Sequence, residues 1–292
     1  MQNSKFKIQN LRILFLLCVL CVSVVNSFSQ SLDFLTEQIR RGSDESKRDA
    51  LFQLRNLESA EASRIAVPAL QDANEVVRAT AVYSVSYLPS EEAARVLLPL
   101  LKDKSFFVRK ETAYALGKTR NSTAVQPLLQ ILQIDKELEV KSASVVALGE
   151  IGDIRAISPL SMILQKKPRV EEDFLRRAAA RSIGQINQVS QVNSNYVVTP
   201  ESLLPEQFDT FASLKYSDLP ADFPGYRQAV SILLSVVQNQ KDDVRREVAF
   251  ALGTFGDKSV VPILQTNLNS KDYYLAEICQ EGLAKTLQIF EN

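Results

Sequence analysis

Few residues of the chain have the type and spacing that catalysis requires. Histidine is absent from all 292 residues, which excludes the usual zinc sites and Ser-His-acid triads. Adjacent carboxylates occur at Glu91-Glu92 and Asp242-Asp243. Each pair stands at the start of a predicted helix, where acidic side chains act as caps rather than as acid/base pairs. Neither a Gly-rich phosphate loop nor an Asp-x-Asp-x-Asp-Gly calcium loop occurs. The sequence therefore predicts no catalytic residue, no metal and no cofactor.

The three cysteines do not change this interpretation. Cys18 and Cys21 lie in an apolar N-terminal stretch and each follows Leu, whereas a lipidation signal requires a small residue at that position. Cys279 lies in an apolar-patterned helix and is interpreted as a small core residue. Once the N-terminal stretch is removed, one thiol remains, so internal disulfides cannot form and helix packing must stabilise the fold.

The first 29 residues have the organisation of a secretory signal peptide. The positive residues at its start are Lys5, Lys7 and Arg12. Residues 13–25 are apolar apart from one serine, and Ser27 and Ser29 place small residues before a cleavage site. An apolar stretch of this length is shorter than the roughly 20 residues that span a bilayer as a helix. We therefore expect cleavage near Ser29, export to the periplasm or cell envelope, and no stable membrane insertion of the mature chain.

Charge is balanced over the whole chain, with 34 Lys plus Arg and 34 Asp plus Glu. Removal of the first 29 residues takes away three basic and no acidic residues, which leaves 31 basic against 34 acidic residues. Neither balance gives the positive field that attracts a polyanion. The sequence therefore predicts no nucleic-acid partner.

The elements that must position any site are helices, because one sequence unit recurs along the chain. Its parts are Val108-Arg109, Ala115-Leu116-Gly117 and Pro127-Leu128, and they recur 32 residues later as Val140-Lys141, Ala147-Leu148-Gly149 and Pro159-Leu160. A fixed period of this size is typical of a helical solenoid whose unit is two helices and a turn.

An interval of nine residues between an apolar residue and Gly occurs four times. It runs from Val108 to Gly117, from Val140 to Gly149, from Leu175 to Gly184 and from Val244 to Gly253. The apolar residue is expected early in the first helix of each repeat. We expect the Gly to close that helix in a conformation that other residues adopt only at a cost.

Charged residues recur as well. Asp72, Asp103 and Asp135 each precede a first helix by a few residues, where a carboxylate can accept free backbone N–H groups. Basic residues recur at Arg78, Arg109, Lys141, Arg176 and Arg245. They form either a ladder that binds anions or an inter-repeat charge ladder, and one charge per repeat in register favours the structural role.

This combination of Asp-x4-Val-Arg, Ala-Leu-Gly and Pro-Leu resembles the HEAT-like repeats of phycobilin lyases and bacterial scaffold proteins, over residues 44–187 and 226–290. The resemblance implies an all-α fold, a right-handed α-solenoid of about six HEAT-like helix pairs with terminal caps near residues 31–41 and 272–290. It also implies a concave surface, lined by the second helices, that holds a partner. Those helices are expected to begin near Ile65, Ala93, Ala124, Ala156, Gly225 and Ser259.

Two surfaces are candidates for binding that partner. Gln126, Gln130 and Gln133 lie along one face of a second helix, where they either contact a partner or are merely solvated. The other candidate is an insertion at residues 187–225, where the repeat requires only a short turn. Its aromatic side chains, which either contact a partner or pack as a lid over the repeats, are Tyr196, Phe208, Phe211, Tyr216 and Phe223.

The function predicted from these observations is a non-catalytic protein–protein interaction scaffold of the periplasm or cell envelope. The alternative is a chromophore- or ligand-handling protein, since the resembling phycobilin lyases bind a chromophore and transfer it to a cysteine of another protein. The predicted export disfavours that alternative, because bilin handling is expected in the cytoplasm of a photosynthetic cell. The sequence identifies neither the protein partner nor the oligomeric state.

Overall fold

The computed structural model describes residues 32–167, 169–192 and 224–291, and every regular element in these ranges is helical. The predicted all-α fold is therefore confirmed. The predicted signal peptide, residues 1–29, lies outside these ranges. Among the described helices, none combines the length and apolar character needed to cross a membrane. The chain separates into two compact units that divide in sequence between Leu88 and Pro89.

The first unit has four helices in its described part. They are α1 (residues 32–41), α2 (Asp44–Asn56), α3 (Ala60–Ala66) and α4 (Glu75–Ser84), with a 3-10 turn at Val67–Gln71. Ser59 Oγ accepts the Ala62 N–H at 3.1 Å and caps α3. This cap starts the second helix of the repeat at Ala60, earlier than the expected start near Ile65.

The second unit has ten helices in its described part. They are α5 (Ser90–Leu97), α6 (Phe106–Thr119), α7 (Val125–Ile134), α8 (Leu138–Ile151), α9 (Ile157–Gln165), α10 (Asp173–Val192), α11 (Pro224–Val236), α12 (Asp242–Phe255), α13 (Val261–Asn267) and α14 (Tyr273–Glu291). A 3-10 turn at Leu98–Lys102 extends α5. In chain order, the described helices of both units pair as six repeats between α1 and α14, as the repeat pattern predicted.

The helices of the second unit form two layers. The first-helix layer consists of α6, α8, α10, α12 and α14, which pack on one another in chain order. The second-helix layer consists of α5, α7, α9, α11 and α13, each of which packs against the first helix that follows it. The unit therefore has the stacked helix pairs of an α-solenoid.

The stacking continues across the predicted insertion, because α10 packs directly on α12. Side-chain hydrogen bonds join the two sides: Arg181 Nη2 to Glu247 Oε1 (2.5 Å), Arg176 Nη2 to Gln240 Oε1 (2.9 Å) and Asn187 Nδ2 to Thr254 Oγ1 (3.1 Å). Since α10 continues to Val192 and α11 begins at Pro224, residues 193–223 lie between them in sequence.

The recurring glycines do not close the first helices, which corrects the sequence-based expectation. Gly117, Gly149, Gly184 and Gly253 all lie inside α-helices. Three of these helices do end in left-handed residues, but these are Arg120 (φ 52°), Gly152 (φ 76°) and Gly256 (φ 61°). The Ala-Leu-Gly motif therefore does not mark the helix cap.

The four helical glycines instead allow successive first helices to approach closely. A Cβ atom added to Gly117 would lie 2.7 Å from Ala147 Cα of the next first helix. One added to Gly253 would lie 2.7 Å from Gly282 Cα. The other two face the next helix in the same way, Gly149 against Ser182 and Gly184 against Phe250. The nine-residue interval is therefore a helix-packing signal.

Candidate functional site

Aspartates in the turns before the first helices accept backbone N–H groups, as predicted. The pairs are Asp72 with Asn74 (2.8 Å), Asp103 with Ser105 (2.8 Å) and Asp135 with Glu137 (3.0 Å). Such aspartates also bind basic side chains of the preceding repeat. These pairs are Asp72 with Lys47 (2.6 Å), Asp135 with Arg109 (2.7 Å) and Asp272 with Arg246 (2.7 Å). Each of these carboxylates therefore joins one repeat to the start of the next.

The Arg109–Asp135 pair shows how burial and hydrogen bonding compete. The side chains are 17% and 4% exposed, and the guanidinium binds both carboxylate oxygens, at 2.7 and 3.0 Å. Burial by itself would raise the pKa of Asp135. Hydrogen bonds from the Arg109 side chain and the Glu137 N–H outweigh burial and hold this pKa below its ordinary value. The pair is therefore structural, as the inter-repeat charge ladder predicted.

Other residues of the predicted ladder have different partners. Arg176 is almost completely buried and donates to the carbonyls of Ile163, Leu164 and Lys166 at the end of α9. It therefore caps α9 instead of binding an aspartate, and burial lowers its pKa. Arg78 likewise donates to a backbone carbonyl, that of Asp72, at 2.8 Å. The expectation of an aspartate beside every basic residue was wrong at Arg176.

A groove opens in the second-helix layer between the 3-10 extension of α5 and helix α7. Its cavity volume is about 980 Å³. The apolar part of its lining includes Leu98, Pro99, Pro127, Ile131 and Ile134. Ile134 ends α7 and is 72% exposed, whereas Ile131 is 5% exposed. We call this cavity the α5–α7 groove. It combines a fixed apolar floor with one large apolar side chain that has no cover among the described residues.

The structure places the three predicted glutamines together on α7. Gln126, Gln130 and Gln133 are all exposed and follow one another at helical spacing. Of the three, Gln130 lines the α5–α7 groove. The other predicted binding residues, Tyr196, Phe208, Phe211, Tyr216 and Phe223, lie outside the described residues.

Sequence reasoning missed a set of lysines around the turns of the second unit. These lysines, which we call the basic edge, are Lys102, Lys104, Lys136, Lys166 and Lys167. All are exposed, and the described residues supply no ion-pair partner to any of them. Their sequence signal is a lysine beside or at positions 103, 135 and 167, which are one 32-residue period apart. The balanced charge of the whole chain concealed this local excess.

The repeat pattern and the stacked helix pairs agree with the family comparison. A family model described as HEAT repeats matches residues 32–116 and 96–184, more than half of the chain. The chain belongs to the HEAT-repeat family. A second model, described as PBS lyase HEAT-like repeat, matches residues 244–270. No curated protein matches the sequence of this HEAT-repeat protein at a significant level.

Solved structures similar to this HEAT-repeat protein are distant in sequence. The complex of CpcE and CpcF of phycocyanin lyase from Nostoc sp. PCC7120 is 18% identical, with 89% of this chain and 92% of that chain covered and a TM-score of 0.46. A designed armadillo repeat protein in complex with a (KR)4 peptide is 17% identical, with 87% and 99% covered and a TM-score of 0.42. Human deoxyhypusine hydroxylase in complex with glycerol is 16% identical, with 88% and 84% covered and a TM-score of 0.37.

The ionisable groups with the largest pKa shifts lie in the packed helices, away from the groove. Burial raises the pKa of the Cys279 thiol to about 12 and that of Glu281 to about 7. Burial also raises the pKa of Tyr226, whose hydroxyl donates to the Phe255 carbonyl at 2.6 Å. Cys279 is buried, as expected of a core residue. In the described ranges, no cluster of His, Cys, Asp and Glu has the arrangement of a metal site.

Proposed function

We propose that this HEAT-repeat protein is a non-catalytic scaffold whose second-helix layer binds a protein partner. The observation that supports it is the α5–α7 groove, in which the exposed Ile134 lies beside a preformed apolar floor. Protein interfaces have apolar centres and polar rims, and here the rim is formed by Gln130 and charged side chains. The groove is open along its length, so an extended or helical segment of a partner can enter it.

The charged groups near the groove support a binding role rather than a catalytic one. Asp135 is held by Arg109, and Asp103 accepts the Ser105 N–H. Both carboxylates therefore position helices and backbone. A general base needs a carboxylate that is free to reach a substrate proton. The groups with strongly shifted pKa values, Cys279 and Glu281, lie on α14, the last first helix of the second unit.

The proposal places the protein in the periplasm or cell envelope, on the strength of the signal-peptide pattern in residues 1–29. Fusion of the full chain to alkaline phosphatase, which is active after export, tests this part. We expect phosphatase activity from the full fusion and a large loss when residues 1–29 are deleted. Equal activity in both fusions would contradict export.

A pull-down with crosslinking tests the scaffold itself. Purified protein is incubated with an envelope extract of the source cells, beside Ile134→Ser and a matched control, Val170→Ser. Val170 is 74% exposed and lies outside the groove, so its replacement removes a similar apolar side chain elsewhere. We expect one partner that is captured by the parent protein and the control and lost with Ile134→Ser. No partner, or equal capture by all three proteins, would overturn the proposal.

The alternative is a chromophore-handling role, which the match of residues 244–270 to the PBS lyase HEAT-like repeat favours. It predicts that mixing the purified protein with a free bilin produces a shifted absorbance band. The scaffold proposal predicts an unchanged bilin spectrum. A saturable spectral shift at stoichiometric protein would replace the scaffold proposal by the ligand-handling one.

A further inference from the structure

We propose that the α5–α7 groove and the basic edge bind an extended acidic segment of the partner protein, with one apolar side chain of that segment packed on Ile134. This inference rests on the proposed scaffold function and names the chemistry of its partner. The apolar anchor is Ile134, which is 72% exposed at the end of α7. Contact with an apolar side chain would remove both surfaces from water, which is favourable in proportion to the area buried.

The charges around the groove select the sign of the ligand. Arg95, Lys102 and Lys136 line the groove, are exposed, and make no ion pair with the described residues. Among the acidic residues of the lining, Asp135 is neutralised by Arg109. Glu137 is exposed at the start of α8. The cations that can bind a ligand therefore outnumber the carboxylates that repel one, and charge complementarity favours an acidic ligand.

The basic edge extends this preference beyond the groove. Lys104 stands in the turn before α6, Lys136 in the turn before α8, and Lys166 and Lys167 in the turn before α10. These three first helices pack on one another in order, so their turns follow one another along the stack. Packed helices lie about 8–10 Å apart, and an extended chain advances about 3.3–3.6 Å per residue. The matching ligand has an acidic residue at about every third position.

The lining favours a peptide over a nucleic acid. Single-stranded nucleic acids bind where bases stack on aromatic side chains beside a basic groove. The residues that line the α5–α7 groove include no aromatic side chain. Its apolar floor consists of aliphatic residues and proline, which suit an aliphatic side chain. A peptide with spaced carboxylates and one Leu or Ile therefore fits both the floor and the rim.

Fluorescence anisotropy with a defined probe tests the proposal. The probe is the fluorescein-labelled peptide Glu-Ser-Gly-Glu-Leu-Ser-Glu-Gly-Ser-Glu, and the control probe has Lys in place of every Glu. The protein is the full purified chain, beside the double variant K102E/K136E and the matched double variant K118E/K271E. Lys118 and Lys271 are exposed and lie outside the groove, so the two variants have equal net charge. Far-UV circular dichroism establishes that all three proteins have equal helical content.

We expect saturable binding of the acidic probe to the parent protein and K118E/K271E, at least about tenfold weaker binding to K102E/K136E, and weakening by salt. Replacing the central Leu of the probe with Ser should also weaken binding. The proposal is overturned by absence of binding, by equal losses in the two double variants, by equal binding of the lysine probe, or by tighter binding of a labelled oligouridylate. If the acidic probe fails while Ile134→Ser still loses the captured partner, the ligand chemistry is wrong and the scaffold function stands. If capture does not depend on Ile134, the scaffold proposal itself fails.

Discussion

The first-helix and second-helix layers of the second unit arise from the same repeat, yet they differ in how they meet their neighbours. In the first-helix layer, glycines such as Gly117 and Gly253 bring successive helices into backbone contact. In the second-helix layer, α5 and α7 leave a groove in which Ile134 is exposed. The comparison shows that one layer fixes the stack, which leaves the other layer free to vary its surface.

The largest expected effect is on the close helix approach. Gly253→Val should lower the free energy of unfolding by about 3 kcal/mol, because the new side chain meets backbone atoms of Gly282 that cannot move without shifting α14. Gly149→Val should cost less, since its nearest neighbours are the side-chain ends of Ser182 and Gln185. Urea unfolding followed by circular dichroism measures both. The control is Ala284→Val on the exposed side of α14, where helix propensity alone should cost about 0.5 kcal/mol. Equal losses at Gly253 and Ala284 would refute the packing explanation.

The second prediction concerns the turns that join neighbouring repeats. Arg109→Ala should cost about 2 kcal/mol at pH 7, because it leaves the buried Asp135 carboxylate without its ion pair. The folded-state pKa of Asp135 is depressed below its ordinary value of 3.8. The stabilisation is therefore fully present above pH 3.8 and is lost as pH falls through the lower, folded-state value.

Urea unfolding of parent and Arg109→Ala between pH 7 and pH 2 measures this loss. The difference between the two proteins should be constant above pH 4 and should shrink at lower pH. The exposed pair of Arg155 with Asp153 supplies the control, and Arg155→Ala should have little effect at any pH. A difference that grew on acidification would contradict the assigned direction of the pKa shift.

The smallest expected effect is at the groove. Ile134→Ser should change the free energy of unfolding by no more than about 0.5 kcal/mol, because its side chain is already exposed. Ile131→Ser, three residues earlier on α7, should cost about 3 kcal/mol, because that side chain is buried. Thermal unfolding of the two variants makes the comparison. Similar losses at both positions would mean that Ile134 is covered within the protein and is not a free surface.

The sequence predicted the repeats because their period is set by packing that each repeat must satisfy. The same period revealed the aspartates, since both the cap and the ion pair of Asp135 recur with it. It misassigned the glycines, because a glycine needed for close approach and one needed for positive φ occur only a few residues apart, as Gly149 and Gly152 show. Spacing along one chain does not reveal which helix lies opposite.

The candidate site was only partly predictable for a different reason. Gln130 was identified because it lies on the outer face of a regular helix. The lysines of the basic edge were missed, because their significance depends on what surrounds them: Lys102 and Lys136 lie beside Asp103 and Asp135 in sequence, and those carboxylates would neutralise them if the aspartates were free. Only the structure shows Asp135 already bound to Arg109.

The continuous packing of α10 on α12 has a consequence for how the chain tolerates changes in length. The contacts of Arg181 with Glu247 and of Arg176 with Gln240 hold the two repeats together without help from the residues between Val192 and Pro224. The length of such a connection enters the stability only through loop-closure entropy, at about 0.6 kcal/mol for each doubling. This junction is therefore the natural position for grafting a foreign domain, because the added chain would lengthen a loop without entering the stack.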